Sequence, residues 1–177
     1  MYSLSGGITI ITGNGKGKTT TALGESFRFW GEGKKVLVLQ FIKGATVYGE
    51  YKAAAQLGPD FIIKQLGLGF VRFAAGEELE KHKTVAKQAL VTAGEMLKSG
   101  VYDLIILDEI LYCVKFGLFG AEDVVELVKL KPGGVDLILT GRDAPEELIA
   151  LADSVIEARE TKHHLAKGIK AQKGIEF

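Results

Sequence analysis

One cysteine, Cys113, stands in a chain of 177 residues, so no disulfide can form within the chain and a reducing compartment is expected. Net charge is also missing, since 22 basic residues balance 22 acidic ones. Without a global basic field the chain is not drawn to nucleic acid or to an anionic membrane, and any anion it binds must be held locally. The longest apolar runs are broken by Asp103, Asp108, Glu109 or Lys115, which excludes a membrane-spanning helix. The stretch Met1–Gly7 has no basic segment followed by an apolar core, so no signal peptide is expected and a cytoplasmic location follows. No serine occupies a G-x-S-x-G turn, leaving triad hydrolysis without support. Histidine is scarce as well. His163 and His164 are adjacent rather than spaced as metal ligands, and His82 sits in the charged run Glu77–Lys87, where a solvated position is expected.

What is present is an alternation of apolar runs with amphipathic segments, the pattern of βαβ units and a mainly parallel sheet. The hydrophobic fraction of 47% and charged fraction of 25% are ordinary for a globular protein. A single domain over residues 1–177 is expected, of a size that buries about 70% of its unfolded surface. Strands are predicted at Ile8–Thr12, Val36–Phe41, Phe61–Gln65, Asp103–Leu107, Val135–Thr140 and Ser154–Glu157. Helices are predicted at Thr20–Gly31, Glu50–Gln56, Glu77–Lys98, Ala121–Leu130 and Ala144–Ala152. Glu122 and Asp123 suit a helix start, Lys129 and Lys131 a helix end, and Pro132-Gly133-Gly134 a stop. Asp143 and Glu146 have capping-box spacing, with Pro145 in the first turn. Two stretches resist assignment, Gly67–Gly76 and the tail Thr161–Phe177, and both are expected to line a site.

The first of the predicted strands runs into Thr12-Gly13-Asn14-Gly15-Lys16-Gly17-Lys18-Thr19-Thr20 and then a helix. Strand, glycine-rich turn and helix form the context of a phosphate-binding loop. Its backbone amides and the helix N-terminus favour an anion. Lys18 would reach the outer phosphates, and the Thr19 hydroxyl is placed for Mg²⁺. Thr12 stands where the usual pattern has its first glycine, while Gly13 and Gly15 supply the tight backbone. The chain is therefore expected to bind a nucleoside triphosphate, within a three-layer P-loop NTPase (RecA-like) fold with a sheet of about six strands.

A second motif, Leu104-Ile105-Ile106-Leu107-Asp108-Glu109, is an apolar strand ending in two carboxylates, the arrangement that reaches the Mg²⁺ of a bound nucleotide. In an open parallel sheet both motifs would meet beyond the strands' carboxyl ends. Glu109 could polarise water in an ATPase, or the triphosphate could be a leaving group in other chemistry. The motifs alone leave both open. Cys113 is expected to be a buried, inert thiol. The aromatics Tyr48, Phe70, Phe73, Tyr112 and Phe116 follow strands. Singly each suits core packing, and together they could floor an apolar ligand site.

With these residues assembled, the chain resembles the corrinoid adenosyltransferases over nearly its whole length. The resemblance lies in the phosphate loop at Thr12–Thr20, in Gln40-Phe41-Ile42-Lys43-Gly44, in Asp108-Glu109 with Tyr112, and in Thr140-Gly141-Arg142. Lys162-His163, Gly168, Lys170-Ala171-Gln172, Gly174-Ile175 and Phe177 complete it. It implies that Co(I) of a corrinoid attacks the 5′ carbon of ATP and expels triphosphate. It further implies catalytic roles for Lys18, Glu109 and Phe70. Nucleotide contacts would come from Gly13, Asn14, Gly15, Lys16, Gly17, Lys18, Thr19, Thr20 and Arg142, and Mg²⁺ would lie against Thr19, Asp108 and Glu109. It implies a homodimer, a reductase as electron source, and a tail over 161–177 near the active site.

Two departures from the family stand out. The best-known members read Gly-Phe-x-Trp after the third strand, where this chain has Gly69-Phe70-Val71-Arg72-Phe73, keeping Phe70 but with Arg72 in place of the tryptophan. Phe73 substitutes for the tryptophan, or reduction of intact cobalamin is less assisted, or the acceptor is a precursor lacking the lower base. Some members carry an N-terminal helical extension over the site, whereas this sequence begins just before its first predicted strand, so a lid is expected from the partner subunit or the C-terminal tail. The rival expectations are a RecA-like ATPase or small kinase, and a nucleotide-dependent corrinoid-binding module.

Overall fold

The computed structural model describes residues 6–46 and 48–162. Its strands are β1 (Ile8–Thr12), β2 (Val36–Gln40), β3 (Phe61–Gln65), β4 (Leu104–Asp108), β5 (Asp136–Thr140) and β6 (Ser154–Glu157). Its helices are α1 (Lys18–Gly31), α2 (Gly49–Leu57), α3 (Gly76–Lys98), α4 (Ile110–Lys115), α5 (Ala121–Lys129) and α6 (Glu146–Ile149). The strands form one sheet in the order β3-β2-β4-β5-β1-β6, and every pairing is parallel. This is the expected α/β fold, a parallel six-stranded sheet between two layers of helices.

The layers follow from the two-residue period of a strand. Leu37, Leu39, Ile105, Leu107, Leu137 and Leu139 share one face with the apolar stripes of α3 and α5. Val36, Val38, Leu104, Ile106 and Ile138 share the other with Ala22 of α1 and Ala54 of α2. Covered on both faces, β2 and β4 are buried along their whole length, which is why they read as continuous apolar runs. Carboxylates tie down the strand starts. Asp103 Oδ2 accepts the Lys35 N–H at 2.8 Å, Asp136 Oδ1 the Gly7 N–H at 2.9 Å, and Asp153 Oδ2 the Ile8 N–H at 2.8 Å.

Three expectations are corrected. His82 is buried, not solvated. It belongs to the α3 stripe His82, Ala86, Ala89, Ala93 and Leu97, whose helical spacing turns it inward despite its charged neighbours. The Asp143–Glu146 capping box does not form. Pro145 is the N-cap residue and makes no side-chain cap bond, while the Asp143 carboxylate accepts from Lys115 Nζ at 2.6 Å. The predicted helix Ala144–Ala152 accordingly shortens to α6. The short α4 begins one residue beyond β4 and carries no cap signal that a sequence could show.

Candidate active site

The phosphate loop spans the gap between β1 and α1. Gly17, the N-cap residue of α1, has φ 101°, a left-handed conformation that costs glycine little and other residues more. Gly15 is required for a different reason. A Cβ there would lie 2.8 Å from the Ala158 backbone, because the segment after β6 passes beneath the loop. The Gly15 N–H donates to Ala158 O at 2.7 Å, so that amide braces the loop instead of facing a ligand. Lys18 is 9% exposed and its Nζ donates to Gly15 O at 2.6 Å. Burial, then repulsion from Arg142, hold its pKa below the usual lysine range.

The acidic end lies two strands away, since β5 separates β1 from β4. Thr140, the last residue of β5, fills the intervening position and ties the two motifs together. Asp108 is fully buried. Its Oδ1 accepts from Thr19 Oγ1 and from Thr140 Oγ1, each at 2.8 Å. Its Oδ2 accepts from Gln40 Nε2 at 3.2 Å and lies 3.9 Å from the Lys43 ammonium. Every oxygen of Asp108 is therefore engaged, as a buried carboxylate requires. Glu109 has φ 63°, a conformation that costs a non-glycine residue about 1–3 kcal/mol and gathers at functional sites. Its N–H donates to Thr140 Oγ1 at 2.9 Å. Burial first, and the Asp108 charge second, push the Glu109 carboxyl up to about 7.

Between these ends lies a cleft of about 470 Å³, lined among others by Lys16, Lys18, Thr19, Glu50, Glu109 and Tyr112. That volume is typical of a small-molecule site. Of the loop residues anticipated from sequence, Lys16, Gly17, Lys18, Thr19 and Thr20 line the cleft. Gly13, Asn14 and Gly15 are not among the lining residues, and Asp108 lies beneath, behind Thr19. Arg142 is not among the lining residues either, though it follows the lining residue Gly141, and its buried Nε has no acceptor. Phe70 lies in an irregular loop and is 89% exposed, with Phe73 at 86%. Arg72 stacks over the Phe73 ring at 5.5 Å. Cys113 is fully buried, and burial pushes its thiol far upward, away from any nucleophilic role. Residues 163–177, including His163, His164 and most of the expected tail, lie outside the described residues.

The donor set suits a hard cation. Thr19 Oγ1, Asp108 and Glu109 offer oxygen only, and among the described residues no group of three His, Cys, Asp or Glu could hold a metal unaided. A cation here would need phosphate oxygens to complete its shell, as Mg²⁺ characteristically does. Four participants escaped the sequence reading: Gln40, Lys43, Glu50 and Thr140. Gln40, Lys43 and Thr140 lay within stretches that carried the family resemblance. Glu50 gave no signal beyond a place on a short helix.

A family model described as ATP:corrinoid adenosyltransferase BtuR/CobO/CobP matches residues 5–177. The corrinoid adenosyltransferase CobA of Salmonella typhimurium is 38% identical over 171 residues, covering 96% of this chain and 85% of the relative. The corrinoid adenosyltransferase of Escherichia coli K12 is 36% identical over 170 residues, with coverage of 96% and 85%. That of Pseudomonas aeruginosa is 34% identical over 174 residues, with coverage of 97% and 84%. Among solved structures, a KaiC-like protein of Pyrococcus horikoshii superposes with a TM-score of 0.52 at 17% identity. It covers 92% of this chain and 76% of its own, a likeness of fold alone.

Proposed function

This chain belongs to the ATP:corrinoid adenosyltransferase family, and from that premise we propose how its cleft carries out the transfer. In the family reaction a bond forms between Co(I) and the 5′ carbon of ATP while the 5′ C–O bond breaks. That bond's electron pair leaves with the triphosphate.

The catalytic demand is charge stabilisation on the leaving group. Preorganised donors aimed at developing charge supply the largest single contribution in many enzymes. Lys18 would turn from Gly15 O to the triphosphate, and the amides of Lys16 to Thr20 at the start of α1 would hold it. Arg142, whose Nε is unpaired, would donate a further N–H. Thr19 and Glu109 would hold Mg²⁺ together with phosphate oxygens, while Asp108, behind Thr19, would fix the Thr19 hydroxyl and add its charge to the site. When bound, that ion supplies a counter-charge to the departing group. Thr19 donates its proton to Asp108, which leaves its oxygen lone pairs free to face a cation. Glu109, half-protonated near neutrality without a cation, would ionise fully beside one. Phe70 and Phe73, exposed on the loop after β3, would meet the corrinoid. We extend the proposal to a homodimer in the cytoplasm served by a reductase.

The observation that carries this site assignment is the bonded path Thr19–Asp108–Thr140–Glu109, which joins the phosphate loop to the acidic strand across β5. Incubation with MgATP and chemically reduced cobalamin tests it. Inorganic triphosphate and a light-sensitive Co–C product are expected. ADP with phosphate would indicate an ATPase instead, and the absence of turnover a binding module.

A further inference from the structure

The wall of the cleft opposite the phosphate loop is held in an unusual way. It comprises the segment after β2 and the first turn of α2. Apolar packing does little there, for Ala54 alone among the nine residues of α2 is buried. Its N-cap residue, Tyr48, makes no side-chain cap bond. A helix anchored so lightly would ordinarily leave its N-terminus loose.

Polar contacts do the anchoring instead. Glu50, in the first turn of α2, accepts from Lys43 Nζ at 2.6 Å and from Gln40 Nε2 at 3.3 Å. Gln40 also donates to Asp108 Oδ2 at 3.2 Å, and strand pairing sets Gln40 directly beside Asp108. One amide nitrogen thus bridges two carboxylates, and the Lys43 ammonium lies between the same two groups. The Gln40 side-chain orientation is fixed by them, since a flipped amide would set its oxygen against both. Its Oε1 is left buried without a donor, a cost that the fold carries where the nitrogen is needed. Both ion-pair partners remain under a fifth exposed, at 17% for Lys43 and 19% for Glu50. The Lys43 side chain is further confined by the Tyr48 ring, 4.9 Å from its ammonium. Burial alone would oppose both charges. The Asp108 charge and the Glu50 bond nonetheless raise the Lys43 pKa, and the Lys43 bond lowers that of Glu50.

We propose that Lys43 and Glu50 form a positioning clamp. Through Gln40 the clamp fastens the first turn of α2 to Asp108, setting the cleft wall and keeping Asp108 Oδ1 turned toward Thr19 and Thr140. Neither residue needs to touch the substrate for this. The inference rests on the transferase assignment for its consequence, but its test does not.

Inorganic triphosphate is the probe, and its affinity is measured calorimetrically with Mg²⁺ for the full chain and for Lys43→Met, Glu50→Gln, the double variant and Lys43→Arg. A negative charge beside a polyanion repels it, so simple electrostatics makes Glu50→Gln bind triphosphate more tightly. The clamp requires the opposite. Glu50→Gln and Lys43→Met should each weaken binding about tenfold or more, as loss of supporting contacts behind a ligand shell typically does. The double variant should lose no more than the worse single change, because each breaks the same clamp. Lys43→Arg, which keeps a cation for Glu50, should recover most of the affinity. Amide exchange over residues 41–57, measured without ligand, should quicken equally in both single variants. Tighter binding by Glu50→Gln, or losses that multiply in the double variant, would overturn the clamp. Failure to adenosylate cobalamin would instead strike the transferase assignment, leaving binding and exchange readable.

Discussion

Replacing Glu109 by Gln should make the empty protein more stable and the enzyme worse. The Glu109 carboxyl is raised from 4.5 to about 7, by burial foremost and then by Asp108. Between those values the unfolded chain has released the proton and the folded chain still holds it. The folded state therefore binds more protons, and stability falls as pH rises through this window. Above about pH 7 the whole penalty is present, on the order of 3 kcal/mol at most, because the carboxylate still borders the cleft and water screens part of it. Gln keeps the shape of the neutral acid without the charge. In nucleotide-free, metal-free protein, Glu109→Gln should gain up to about 3 kcal/mol at pH 8 but only about 1 kcal/mol at pH 5.5. For a domain of this size the pH 8 gain corresponds to a Tm rise of roughly 6–12 °C. Urea unfolding and thermal scans at the two pH values measure it. A gain equal at both pH values, or destabilisation at pH 8, would refute the buried-charge account. Turnover should fall in the same variant, since a strained, destabilising carboxylate is retained where function needs it.

Lys18→Ala should lower adenosyl transfer by about 10²–10³, the usual loss of one preorganised electrostatic contact, and steady-state rates with MgATP would show it. Thr140→Val keeps the volume but removes the hydroxyl that serves both Asp108 and Glu109. It should cost about 1–3 kcal/mol in urea unfolding along with a loss of triphosphate affinity. Phe70→Ala removes a ring that is almost fully exposed. The Tm should stay put, to within about 0.5 kcal/mol of stability, while turnover starting from Co(II)alamin declines. Arg72→Trp should leave transfer to pre-formed Co(I) unchanged and raise the rate from Co(II)alamin, as followed by the Co–C absorbance.

The sequence by itself determined the strands, most of the helices, the phosphate loop and the Asp108-Glu109 pair. Each of these is written in a few consecutive residues, and local chemistry suffices: apolar runs for strands buried on both faces, a glycine-rich turn between strand and helix, carboxylates at a strand end. Membership of α3 was local too, yet the inward turn of His82 was overlooked because the charges around it masked the helical period.

Only the tertiary structure decided what lies between the two motifs. The insertion of β5 between β1 and β4 makes Thr140 the bridge from Thr19 to Glu109, and no spacing along the chain announces which strands will be neighbours. The pairing of β2 with β4 likewise brings Gln40 beside Asp108, 68 residues away in sequence. The passage of Ala158 under Gly15 belongs to the same class. Contacts of this kind depend on strand order and register, which the whole core sets at once, and so they become visible only when the sheet is assembled.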